Sequence, residues 1–185
     1  MEYPARAFFI FDERLYLVDI KEIVEDYELN FSGKQCLFHT SYNKLPEILV
    51  RFEVEDLFHI LGIHKLATGY RASTWIEAVK NNHFRLSDYS KHNRFSEVLP
   101  RVRNYEFFYE IFYQDKVKVC ILDKDLTRNT MKLSVVFYKD EKKKVIVIGI
   151  RKTPEGYYVP ATLHESRANT YSRMKKTSIK KVSMK

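Results

Sequence analysis

Histidines, hydroxyls and cations are spaced along this sequence in a way that suits chemistry at a phosphodiester. His59 sits four residues after Glu55, a spacing at which a carboxylate on a helix surface can favour a charged imidazole. His164 follows Thr162 at strand spacing, and Lys118, Lys132, Arg151 and Tyr158 lie upstream in segments of alternating character. Lys and Arg neutralise a phosphate and a hydroxyl orients it. Histidine can exchange a proton near neutral pH because its unperturbed pKa is about 6.5. A zinc site is disfavoured, since His59 and His64 are five apart and no His-Glu-x-x-His motif occurs. The sequence lacks Gly-x-x-x-x-Gly-Lys-Ser/Thr, Gly-x-Gly-x-x-Gly and Gly-x-Ser-x-Gly, and five glycines give a nucleotide-cradling loop little to be built from. We therefore expect neither metal nor cofactor.

Positioning such groups takes a folded core. The chain has 185 residues, 45% of them hydrophobic and 30% charged, which fits about one globular domain. Helical spacing predicts a helix over residues 13–29, closed by Asn30-Phe-Ser-Gly33, and Gln35–His39 reads as a short strand. Pro46 should open a second helix running through Leu49, Val50, Val54, Leu57, Phe58 and Leu61 to a stop at Gly62. Ser73–Lys80 reads as a third. Pro100 should open a fourth, whose aromatic face (Tyr105, Phe108, Tyr109, Phe112) we assign to the core rather than to base stacking.

The period then changes from 3.6 to 2. Val117–Leu122, Met131–Tyr138, Lys144–Arg151 and Tyr157–His164 are strand-length, and their short connections imply antiparallel neighbours. The expected architecture is α+β: a helical part (1–113) packed on a four-stranded antiparallel sheet (114–165), with 166–185 as a basic C-terminal tail. Alternation puts Val119, Ile121, Val135, Phe137, Ile148 and Leu163 on one face. Lys118, Cys120, Lys132, Ser134, Tyr138, Arg151, Tyr158, Thr162 and His164 fall on the other, interrupted by Val136, Val145 and Val147.

The net charge of +8 is unevenly distributed. Residues 166–185 hold seven Lys/Arg, among them Arg173, Lys175 and Lys176, and no Asp/Glu. A surface of this kind binds polyanions by releasing their counterions, and RNA or DNA suits it better than a membrane. With two cysteines, no signal-peptide pattern and no run long enough to span a bilayer, the sequence reads as cytoplasmic.

Several short segments then carry a resemblance. Leu57-Phe-His-Ile-Leu-Gly-Ile-His-Lys-Leu66 is similar to the His-Leu-Leu-Gly-Leu helix end of phage-associated nucleases of the barnase–EndoU–colicin–RelE-like superfamily, PBECR type, fourth subgroup. Phe38-His-Thr, Asn43-Lys-Leu-Pro46, Arg101 and Arg103, and Tyr157–Leu163 followed by His164 fit the same layout, so the resemblance covers residues 36–170. It implies a metal-independent ribonuclease, a toxin or phage-defence component of mobile elements, that turns the 2′-hydroxyl of RNA on its own 3′-phosphate. His59 carries over by motif, with Thr162 and His164 following.

In that chemistry His59 and His164 would be acid and base in either order. Arg101, Arg103, Lys118 or Arg151 would hold the phosphate, and Thr162 or Tyr158 would position it. Lys132, Arg173, Lys175 and Lys176 would add contacts to RNA. The alternatives are a non-catalytic nucleic-acid-binding module and a mobile-element interaction protein. An antitoxin or immunity protein is a candidate partner.

Overall fold

In the computed structural model, which describes residues 19–185, the chain is α+β, with helices packed on a seven-stranded mixed sheet. Helix α1 (Ile20–Asn30) is capped by Asp19, whose carboxylate accepts from the Lys21 amide at 2.9 Å. Residues 13–18 of the expected helix lie outside the described residues. Strand β1 (Gln35–Thr40) falls where alternation put it.

The helix expected from Pro46 is instead strand β2 (Glu47–Arg51), a bend, and the five-residue helix α2 (Asp56–Ile60). The segment fits both periods, and pairing decides between them. Thr40 donates its amide to the Pro46 carbonyl at 2.8 Å, closing a hairpin in which Ile48 and Val50 bury completely against β1. Gly62 ends the α2 segment in the left-handed region (φ 74°), and a 3-10 turn at Ile63–Lys65 follows. Helix α3 is Ala72–Lys80.

Pro100 does not open a helix. It lies inside α4 (Phe95–Arg103), which stops where the Asn104 side chain donates to the Pro100 carbonyl at 2.7 Å. Helix α5 (Phe107–Phe112) follows separately. Its aromatics are core: Phe112 packs edge-on against Phe52 and Phe137, and Phe108 against Phe31.

The sheet also departs from four antiparallel strands. β3 (Val119–Leu122), β4 (Val135–Asp140), β5 (Lys144–Lys152) and β6 (Tyr158–Arg167) form the expected meander. The segment expected as a basic tail supplies β7 (Thr177–Met184), inserted between β3 and β1. The ring β1-β2-β6-β5-β4-β3-β7 closes on itself, and β2 meets β6 in parallel at Val50 and Tyr158.

Among the described residues, much of the face expected to be polar is covered. Cys120 and Tyr158, expected outside, are buried in the main core. Ile121, expected inside, belongs with Leu133, Val136, Tyr138, Val145 and Val147 to a second apolar cluster. One feature of β6 separates the predicted polar set. The register steps from Gly149 opposite Thr162 to Ile150 opposite Pro160, leaving Ala161 unpaired. That bulge reverses the alternation, so Tyr158 points into the core while Thr162 and His164 turn outward, opposite Gly149 and Val147.

Candidate functional site

The bulge presents Thr162 and His164 to α2 and α4, which pack on β6. Arg101, on the last turn of α4, occupies the seam. Its Nε donates to the Glu97 carbonyl at 3.1 Å, and its Nη1 donates to the Ile60 carbonyl at 3.1 Å and to Thr162 Oγ1 at 3.0 Å. The side chain is 8% exposed and makes no ion pair among the described residues. The carboxylate that acts on it, Glu97, is already committed: Lys65 Nζ holds Oε2 at 2.7 Å and Arg94 Nη1 holds Oε1 at 2.5 Å. Those two hydrogen bonds keep Glu97 ionised, with a pKa of about 2. Three cations therefore share a single anion, and the most buried of them is bonded only to neutral oxygens.

Gly62 makes this packing possible. A β-carbon there would stand 3.1 Å from Arg101 Nε, on a backbone that L side chains rarely adopt. The same turn folds His64 back toward α2. Its ring centroid lies 5.0 Å from that of His59, and Nδ1 lies 3.4 Å from the Phe58 carbonyl, so Nδ1 carries a proton and donates. Burial lowers the pKa of His64, and the charges of His59, Lys65 and Arg101 lower it further, against the Phe58 bond.

His164 is half-buried. Its Nδ1 lies 3.5 Å from Thr162 Oγ1, and burial, then Arg101, then Lys65 push its pKa down to about 4. Arg101 is thus within electrostatic reach of two imidazoles that are neutral at pH 7, while His59 stands exposed at the rim.

Of the residues singled out from the sequence, the fold brings together Arg101, Thr162 and His164, and ties His59 to them through His64. Arg103 faces Glu165, where hydrogen bonds from Lys144 and Asn104, helped by the charges of Lys144 and Arg103, outweigh burial and hold the carboxyl low. The others lie elsewhere. Lys118 pairs with Asp115, Lys132 is an exposed turn residue, and Arg151 donates to the Met131 carbonyl. Tyr158 is 4% exposed, inside the core. Arg173, Lys175 and Lys176 follow β6 in the connection to β7.

Sequence reading did not place His64, Lys65 or Glu97 in this group. Five-residue spacing on a continuous helix would separate His59 from His64, and the signal that they converge is the glycine between them. Among the described residues no group of three His, Cys, Asp or Glu could hold a metal ion, and no helix is long and apolar enough to cross a membrane.

A family model, phage-Barnase-EndoU-ColicinE5/D-RelE like nuclease4, matches residues 19–184. No curated protein and no solved structure matches the chain.

Proposed function

The chain belongs to the phage-Barnase-EndoU-ColicinE5/D-RelE like nuclease4 family, and from that premise we propose an endoribonuclease that cleaves by 2′-hydroxyl attack at the Arg101 seam. The observation that carries this reading is the buried guanidinium without a carboxylate. Desolvating a cation within electrostatic reach of His64 and His164, near Lys65, costs folding energy that a structural role would offset with an anion. A phosphate supplies that anion from outside. Arg101 Nη2 has no hydrogen-bond partner among the described residues and is free to bind a non-bridging oxygen.

His164 is the base in this scheme. Thr162 Oγ1 accepts from Arg101 Nη1 and lies 3.5 Å from His164 Nδ1; the scheme takes the tautomer with the proton on Nδ1, which leaves Nε2 as the acceptor for the 2′-hydroxyl proton. A bound phosphodiester also cancels part of the positive field that holds His164 down. The base therefore strengthens when substrate arrives. His59 protonates the leaving 5′-oxygen, and Arg101 and Lys65 stabilise charge developing on the phosphorane oxygens. The products are a 2′,3′-cyclic phosphate and a 5′-hydroxyl. Expressed without a neutralising partner, such an enzyme arrests growth, as a toxin or defence effector would.

The test is purified protein on single-stranded RNA in the presence of EDTA. Cyclic-phosphate ends are expected from the wild type, with loss of cleavage in Arg101→Lys and His164→Asn at unchanged melting temperature. RNA bound but left intact would make the protein a binding module, and cleavage persisting in both variants would move the chemistry elsewhere.

A further inference from the structure

The connection from β6 to β7, residues 168–176, is a strap laid over the sheet. Tyr171 stacks on Tyr138 with centroids 5.4 Å apart, Lys176 Nζ sits 5.8 Å from the same ring, and Met174 packs on the second apolar cluster. That cluster contains Val147, the cross-strand partner of His164. Directly opposite residues share a sheet face, and Tyr138, Val147 and His164 form one cross-strand row, so the strap and the Arg101 seam both lie on the outer surface of the closed ring, two strands apart along that row.

Between the strap and the loop after β3 is an open groove of about 530 Å³, lined by Thr127, Asn169, Thr170, Ser172, Arg173 and Met174. Its volume is in the range of small-ligand sites, about 300–1,000 Å³, and too large for a single phosphate. Its lining is three hydroxyls, an amide, a guanidinium and the Met174 thioether, with no carboxylate. Arg128, Arg173 and Lys175 make no ion pair among the described residues, in contrast to Lys65, Lys80, Arg94, Lys139 and Lys144, each held by a glutamate. The segment from 166 onward, which carries Arg173 and Lys175, contains no acidic residue.

We propose that this groove binds single-stranded RNA, holding nucleotides that flank the phosphate cleaved at the Arg101 seam. The proposal rests on the ribonuclease reading for the identity of its ligand. Arg173 contacts a phosphate within the groove and the exposed Arg128, next in the chain to Thr127 of the lining, one at its edge, while the hydroxyls of Thr127, Thr170 and Ser172 meet sugar and base edges. The stacked Tyr138–Tyr171 pair keeps the strap in place without offering a ring face of its own.

The experiment measures binding of a fluorescent 2′-O-methyl single-stranded oligonucleotide, which cannot undergo 2′-hydroxyl attack, across a range of salt. Arg128→Ser combined with Arg173→Ser should weaken binding about tenfold or more near 0.1 M salt, and flatten the log–log salt slope by about 1.4, or ~0.7 for each phosphate no longer neutralised. Lys142→Ser with Lys143→Ser, two charges removed from the turn between β4 and β5, should change binding less than about twofold. Equal losses from the two pairs, or none from the arginine pair, would overturn the groove. Cleavage of unmodified RNA is scored in parallel, so the two readings can fail separately. A bound but uncut strand sinks the nuclease and leaves the groove standing, whereas cutting with an unaffected arginine pair does the reverse.

Discussion

Two polar hubs organise this molecule, a half-buried one built on Asp26 that is complete and a buried one built on Arg101 that is not. Asp26 on α1 accepts from Tyr105 Oη at 2.7 Å, from Tyr109 Oη at 2.8 Å and from Asn30 Nδ2 at 2.9 Å. Its carboxylate takes oriented donors from three side chains, and the network ties α1 to α5. Burial, reinforced by Asp26, pushes the Tyr109 hydroxyl far above its usual range, so it stays a donor at any ordinary pH. Arg101 is the converse: a buried cation whose partners are two carbonyls and a hydroxyl. A charge fully answered inside the fold holds the fold together, and a charge left unanswered is available to a ligand.

The sharpest way to break this contrast is to remove each charge and read stability and activity separately. Arg101→Met keeps volume and removes the cation. Cleavage should fall by about 10²–10³, the cost of losing one donor to a developing oxyanion. The melting temperature should hold or rise, because replacing a poorly compensated buried charge by an apolar side chain is often neutral or stabilising. Loss of fold and activity together in this variant would make Arg101 a structural residue like Asp26.

Asp26→Ala should show the opposite. It leaves the Tyr105 and Tyr109 hydroxyls without their acceptor in a buried site, at a cost of about 3 kcal/mol in denaturant unfolding. Catalytic rate per folded molecule should be unchanged. A stable Asp26→Ala protein with impaired cleavage would erase the distinction between the hubs.

Gly62→Ala probes the joint between backbone and site. Ala in the left-handed region costs about 1–2 kcal/mol, and its β-carbon would crowd Arg101 Nε. We expect that stability loss together with a larger drop in kcat than in RNA affinity. Unchanged kcat would show that the guanidinium tolerates displacement.

These residues also show what the sequence made legible. The meander β3–β6 and strand β1 were readable because β-branched and aromatic runs alternate between turn signals, and α3 because its hydroxyl-rich start precedes an apolar face. Strand β2 was hidden, since Ile48-Leu-Val50 suits either period until a hairpin partner selects one. β7 was hidden by its lysines. Lys180 and Lys181 read as solvated tail, while Thr177 and Ile179 bury between β1 and β3. At the site, Thr162 and His164 stood out by residue type and alternation, and His59 and Arg101 through the family resemblance. No local signal marks the bulge at Ala161, and without it Thr162 would share a face with Tyr158. Their separation is a property of pairing with Gly149 and Ile150, which sequence spacing does not encode.

The smallest expected effect concerns pH, and two groups oppose each other in it. His164 is pushed down to about 4 from 6.5, so between those values the unfolded chain binds the proton that the fold refuses. Its contribution to stability is present above pH 6.5 and is lost as pH falls toward 4. Asp56 is pushed up to about 7 from 3.8, chiefly by burial, which with repulsion from Glu53 and Glu55 outweighs the Glu53 backbone bond. There the fold holds a proton that the unfolded chain releases, and stability is lost as pH rises from about 4 to 7. The wild type should therefore show a shallow dependence between pH 4 and 7. His164→Asn should expose the Asp56 slope, becoming less stable as pH rises, and Asp56→Asn should expose the opposite one, each by roughly 1 kcal/mol after allowing for partial exposure. Inorganic phosphate sharpens the comparison with Arg101. An anion in the seam raises the His164 pKa, so added phosphate should flatten the acid-side slope of Asp56→Asn in an Arg101 background and leave it untouched in Arg101→Met. Identical slopes with and without phosphate in both backgrounds would mean that the guanidinium beside His164 receives no anion.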